Sequence, residues 1–262
     1  MATTAWSITQ SGRYEPFELQ LARGQISWHE TQFQFGTNTN VATSFSTLWP
    51  GGGTLYAYPS AATVLKISSA NANDTVAGTG ARTVLVNGLD ANYNEISEIV
   101  SLNGQTAVNT VKSYLRFHYM TVLTAGSGET AAGTLYAGVG TVTSGVPATI
   151  YGYVSLGYNT SEQAFWTVPA GYTAYITSCA WTSANTTANI IVTGSLNIRP
   201  LNGVFVTEST CKMVAGNSFN RLFDTAVQVS EKSDIEMRAA SSTAGSAVTG
   251  EFNVIYIKND AA

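Results

Sequence analysis

Apolar and polar residues alternate one for one along much of this chain, the period of a strand with one covered face. From Asn189 to Arg199 (NIIVTGSLNIR), Ile190, Val192, Leu196 and Ile198 share a face with Gly194. Ile191, Thr193, Ser195, Asn197 and Arg199 share the other. Ser233 to Ala239 repeats the pattern, with Ile235, Met237 and Ala239 opposite Asp234, Glu236 and Arg238. In Glu251 to Lys258, Phe252, Val254 and Tyr256 line up, while Ile255 and Ile257 make the second face apolar as well. The same pattern predicts strands at 63–69, 81–87, 95–102, 107–111, 114–123, 133–139, 148–156, 173–181, 203–208 and 225–230. Thr and Val recur throughout, and both suit a pleated surface.

Turn signals separate these segments. Asn87-Gly88, Asn103-Gly104 and Asn202-Gly203 are pairs that tolerate positive φ and favour hairpins, and the glycines at 51–53, at 78 and 80 and at 126 and 128 are further breaks. No stretch keeps a helical period over three turns; the best, Glu15 to Arg23, is short. Many short strands with frequent turns predict an all-β chain of antiparallel sandwiches or barrels. The polar break GYNTSEQ (157–163) predicts a boundary, giving one sandwich at 61–157 and a second at 158–262. Residues 1–60 alternate poorly and are rich in Gly and aromatics, including Trp6, Tyr14, Phe17, Trp28, Phe33 and Phe35. That segment is expected to pack with the first domain as an arm or wrapping segment, or to lie across a neighbouring subunit, and its aromatics are the candidate inter-subunit contacts. No internal repeat of fixed period is present.

Charge changes the picture mainly by exclusion. Lys and Arg total 12 and Asp and Glu 16, a net charge of −4; charged residues are 11% of the chain, against roughly a quarter in ordinary soluble domains. Cut near residue 145, each half holds 6 basic and 8 acidic residues, so no basic stripe exists for nucleic acid. A long helix or coiled coil needs more Glu, Lys and Arg. A disordered chain needs less apolar content than the 44% found here. No apolar run reaches the roughly 18–20 residues of a membrane span. The first twenty residues lack the basic and apolar regions of a secretory signal, so synthesis and folding in a cytoplasm are expected. Cys179 and Cys211 read as small hydrophobes in strands, with a bridge between them left open.

Candidate chemistry is sparse. The two histidines are His29, beside Trp28, and His118, in a strand whose core row reads Leu115, Phe117, Tyr119 and Leu123. That row places His118 on the opposite face with Arg116 and Met120, as a surface or interface residue. No zinc pair, P-loop, dinucleotide fingerprint or nucleophile elbow occurs. Glu95 and Glu98 form a weak acid pair without a recognisable sugar groove. The loop GLDANYNE superficially suits calcium, yet it lacks EF-hand spacing and reads better as an Asx-stabilised turn. No cofactor and no catalytic or metal-binding residue is therefore expected. Two readings of the composition stay open: a β-protein with an uncharged surface, or a protomer of a permanent assembly whose contacts avoid burying charge.

Several segments resemble a family of structural proteins of tailed bacteriophages, particularly those of aquatic bacteria. These are Phe35-Gly36-Thr37-Asn38, WPGGGTLY (49–56) with Tyr58-Pro59, and Ile67 to Leu102, with GTGARTVLVNGLDANYNE and the following NGQTAV. TVPAGYTAYITS (167–178), IRPLNGVF (198–205) and EKSDIEMRA (231–239) are similar to sandwich modules of the same proteins. The resemblance covers most of residues 33 to 257. It implies a virion component without catalytic activity, built of jelly-roll-like sandwiches and trimeric. The implied role is a decoration or cement protein that binds the major capsid protein or other virion proteins, with no nucleic-acid or membrane partner. A tail, fibre or spike component contacting the host is the alternative.

Overall fold

A computed structural model describes residues 6–8, 14–184 and 189–260. The alternating segments become strands, and every pairing is antiparallel. A two-stranded ribbon, β1 (Trp6–Ile8) with β2 (Tyr14–Pro16), leads into one short helix, α1 (Phe17–Ala22). There follow β3 (His29–Val41) and β4 (Ser46–Thr47), then seven strands of a first sandwich: β5 (Thr63–Ser69), β6 (Ala81–Leu89), β7 (Glu95–Ser101), β8 (Val108–Tyr114), β9 (Arg116–Ala125), β10 (Leu135–Thr143) and β11 (Val146–Val154). The remaining strands are β12 (Phe165–Thr167), β13 (Tyr172–Ser183), β14 (Ile191–Arg199), β15 (Val206–Val214), β16 (Ser218–Val229), β17 (Asp234–Ser241) and β18 (Ser246–Lys258).

The first sandwich faces a sheet of order β11-β10-β5-β8 against one of order β7-β6-β9. Its core is built from Leu65, Ile67, Val84, Val86, Phe117, Met120 and Leu135, among others. The second has sheets of order β16-β13-β18-β3 and β12-β17-β14-β15, with β4 also pairing β17. Count β3 as its first strand, and β4 with β12 as an interrupted second. The sheets then read sixth-third-eighth-first and second-seventh-fourth-fifth, the strand order of a jelly roll built from two Greek keys. Trp166, Trp181, Phe252, Leu196 and Met237 fill its core.

That topology corrects the expected packing of residues 1–60. The end of the segment packs with the first sandwich, where Tyr56 Oη donates to Tyr151 O at 3.1 Å; β3 instead pairs along its length with β18, from His29↔Ile257 to Val41↔Ser246. The jelly roll is therefore discontinuous, and the first sandwich is inserted within its second strand. Alternation in β3 was hard to read because its covered face is polar and small, with Gln34, Gly36 and Asn38 buried. Asn38 is satisfied by donating from Nδ2 to Thr47 O at 3.0 Å and Gly52 O at 3.1 Å. Asn87-Gly88 is also corrected, since it lies inside β6 and not in a turn. A Cβ on Gly88 would stand 2.1 Å from Arg116 O, so this glycine serves a close backbone approach.

The split second strand is held at Gly36. Ala164 N–H donates to Leu48 O at 2.9 Å, joining the two halves of the interrupted strand. A Cβ on Gly36 would lie 2.1 Å from that carbonyl and 2.3 Å from that nitrogen. Gly36→Ala is expected to destabilise by about 1–3 kcal/mol in urea unfolding. Thr39→Ala, on an exposed position of the same strand, is expected to stay within about 0.5 kcal/mol. Equal stabilities would contradict this close approach.

Candidate contact surface and the seam between the sandwiches

The inserted sandwich is fixed to the jelly roll by buried charge. Asp234, on β17, is almost fully buried. It accepts from Arg116 Nε at 2.7 Å and Nη2 at 3.3 Å, from Arg199 Nε at 2.9 Å and Nη2 at 2.5 Å, and from Thr167 Oγ1 at 2.6 Å. Arg116 belongs to β9 of the first sandwich and also donates to Pro59 O at 3.2 Å and Leu115 O at 3.0 Å. Burial opposes its charge, but hydrogen bonding to Asp234 outweighs that and raises its pKa. Two residues along, buried Glu236 accepts from Thr47 Oγ1 at 2.6 Å, Tyr58 Oη at 3.0 Å and Arg238 Nε at 2.8 Å. The face of β17 opposite the core thus carries its charges into the seam, not into solvent.

Aromatic rings fill the space beside these charges. Tyr56 lies 4.0 Å from Phe165 and 5.1 Å from Trp49, centroid to centroid. Arg199 sits 4.4 Å above Tyr58 and 4.5 Å from Phe205. His118 corrects the sequence expectation for β9: it is buried, and its ring lies 5.5 Å from that of Trp166 in the jelly roll. The cause is a register shift opposite Asn87-Gly88, where His118 is the extra residue between Phe117 and Tyr119. The shift lets Phe117 and Met120 both face the core, while Leu123 is exposed. Desolvation pushes the His118 pKa down to about 3, so its ring is neutral in the fold.

Other candidate groups resolve into structural roles. Asp90 accepts from Asn92 N and Asn94 N at 2.8 and 2.9 Å. Its slight burial is outweighed by hydrogen bonds, chiefly from Asn94, which hold its pKa below the usual value. Glu98 accepts from Val111 N at 2.8 Å and Lys112 N at 3.0 Å, capping the open edge of β8. Glu95 faces the other side of β7, beside Glu30, Tyr119 and Tyr256. Burial, then Glu30, raises its pKa. Cys179 and Cys211 are buried, free thiols. Burial pushes Cys179 up to about 12, so it is a hydrophobe in practice. Among the described residues no three His, Cys, Asp or Glu side chains come together as a metal site.

Four of the six candidate aromatics separate into two groups. Phe17 meets His29 edge-on at 6.4 Å, and Trp28 is 56% exposed with Lys258 Nζ 5.2 Å above its ring. Phe33 and Phe35 stack at 6.0 Å on the outer face of β3. The side chains of Trp6 and Tyr14 lie outside the described residues. That outer face continues across the whole sheet. Its paired rows read Gln228-Tyr175-Ile255-Thr31, Leu222-Ser178-Asn253-Phe33, Asn220-Ala180-Glu251-Phe35 and Ser218-Thr182-Thr249-Thr37. None of these positions is buried, and Glu251 alone is charged. A soluble surface typically carries about 25–35% charge. The four rows are thus nearly neutral, with apolar points at Leu222, Ile255, Phe33 and Phe35, and Glu18 and Leu21 of α1 border them beside Thr31, Phe33 and Ile255.

Fold and surface together define an all-β protein in which a jelly roll carries an inserted sandwich. No protein-family model matches the chain, and no curated protein matches it. Among solved structures, it is similar to the infectious bursal disease virus Gx strain structure at 11% identity, covering 89% of this chain and 73% of that chain, with a TM-score of 0.26. The VP2 subviral particle of infectious bursal disease virus is likewise 11% identical, covering 90% and 74%, with a TM-score of 0.23. Such TM-scores are below those of a shared fold, and the functional reading rests on the chain's own residues.

The seam gives a direct stability test. Arg116→Met leaves Asp234 buried with one guanidinium and is expected to cost about 3–5 kcal/mol in urea unfolding followed by tryptophan fluorescence. Lys212→Met, on an exposed position of β15, is expected to change stability by no more than about 0.5 kcal/mol. Equal losses in the two variants would mean that the buried pair does not hold the sandwiches together.

Proposed function

We propose that the chain is a non-enzymatic structural protein of a tailed-bacteriophage virion, a trimeric decoration or cement protein that binds the head shell. One observation carries the reading: the four neutral rows across β16, β13, β18 and β3. Burying the four rows desolvates Glu251 and, where α1 borders them, Glu18, whereas an ordinary surface would leave many more charges to be paired. Its Ser, Thr, Asn and Ala residues also lose little side-chain entropy on contact. Jelly rolls occur in viral capsid and in lectin domains; with a fold so widely shared, the surface and the sequence resemblance favour the virion.

In this reading the neutral face lies against the shell or a neighbouring subunit. The purified chain is expected to sediment as a trimer, to bind heads that lack it, and to raise their tolerance of heat or low salt. Phe33→Glu with Leu222→Glu is expected to abolish head binding or trimer formation while leaving thermal unfolding of the chain intact. A monomer that binds no heads at any salt concentration would overturn the reading. Adsorption to host cells in place of heads would assign the chain to the tail, a fibre or a spike.

A further inference from the structure

On the solvent side of the Asp234 cluster, a cleft of about 350 Å³ opens between the two sandwiches. Three cations line it, Arg116, Arg199 and Lys232, and Asp234 is its only acid. The Asp234 carboxylate is already filled by both guanidiniums and Thr167. Arg199 binds it through Nε and Nη2, leaving the two N–H bonds of Nη1 without a partner among the described residues. Lys232 Nζ also has no partner there. Two unused donor groups and an excess of positive charge therefore converge on one pocket of a chain whose net charge is negative.

The backbone around the cleft is unusual in the same place. Tyr93, Asn202 and Lys232 all line it and all have positive φ, at 66°, 60° and 61°. For a bulky residue such as Tyr93 this conformation is a true outlier. Strained residues persist where surrounding structure imposes them, and they concentrate at ligand sites. Here the imposing contacts are visible: Ala170 N–H donates to Tyr93 O at 2.9 Å, and Lys232 N–H donates to Val168 O at 2.8 Å. Both bonds fix cleft residues to the strand and turn that follow the inserted sandwich.

We infer that this cleft is an oxyanion-binding site, taking one carboxylate or phosphate group on Arg199 Nη1 and Lys232 Nζ, with the Tyr58 and Tyr93 rings as its walls. Charge-assisted hydrogen bonds from a guanidinium and an ammonium suit such a group, and partial enclosure of the site strengthens them. A free anion and an acidic side chain of a partner protein offer the same chemistry. The inference is independent of the assembly reading above.

Calorimetric titration of the full chain at fixed ionic strength, with inorganic phosphate in one arm and N-acetylglutamate amide in the other, tests it. Saturable binding of at least one, beyond a chloride control, is expected. Binding of phosphate alone identifies a free anion as the ligand; binding of the glutamate amide identifies an acidic side chain. Lys232→Gln removes no hydrogen bond or ion pair among the described residues, so its melting temperature in chloride should match the parent's, while affinity falls about tenfold or more, the equivalent of one charge-assisted hydrogen bond. Arg199→Gln should weaken binding likewise. No saturable binding in either arm, or binding untouched by Lys232→Gln in a folded variant, would overturn the inference.

Discussion

A carboxylate buried between two sandwiches is the constraint on which this molecule is built. Asp234 lies in the seventh strand of the jelly roll, and desolvating it is costly unless every lone pair is met. It is met from both sides: Arg116 reaches from the inserted sandwich, while Arg199 and Thr167 belong to the jelly roll. The pairing is only possible when the two sandwiches dock in one arrangement. Buried ion pairs contribute little net stability in general, but leaving one half unpaired is expensive. Asp234 therefore acts as a specificity device, penalising every docking in which Arg116 is elsewhere.

The insertion itself follows from the same seam. The inserted sandwich interrupts the second strand of the jelly roll, so its two connections leave and return side by side, at Leu48 and Ala164. Chain ends that lie together allow an inserted domain to fold without disturbing its host. Beyond the connections, Glu236, Tyr58 and the Trp49–Tyr56–Phe165 rings extend the contact, and His118 adds a neutral ring against Trp166. The result sets the neutral outer face of the β16-β13-β18-β3 sheet on a rigid base. Open edges are treated separately: the Glu98 carboxylate occupies the free N–H groups of β8 at Val111 and Lys112, although Val111 itself is 91% exposed.

The strands were legible in the sequence wherever one face was apolar. Ile190, Val192, Leu196 and Ile235, Met237, Ala239 face the core as their alternation implies. Alternation fails as a guide where the second face is also covered. Asp234, Glu236, Arg116 and His118 read as outward because polar residues usually are. The other sandwich buries Asp234, Arg116 and His118, while Thr47 and Tyr58 cover Glu236; these are long-range contacts that no local window contains. The period also breaks at His118, where a bulge reverses the phase of β9. β3 carries no apolar alternation because Gln34, Gly36 and Asn38 are buried for hydrogen bonding and close approach, not for hydrophobicity. Of the candidate contact residues, Phe33 and Phe35 lie on the outer face of β3. The neutral face they border depends on register across four strands and becomes visible only when those strands are paired.

In the proposed reading, the nearly neutral outer sheet of the jelly roll is a contact face within a virion. Image reconstruction of the particle that carries this chain tests it most directly. Two-lobed density on the head surface, with the β16-β13-β18-β3 face against the shell or a neighbouring copy, is the expected result. Particles without such density, or density in which that face points to open solvent, would contradict it.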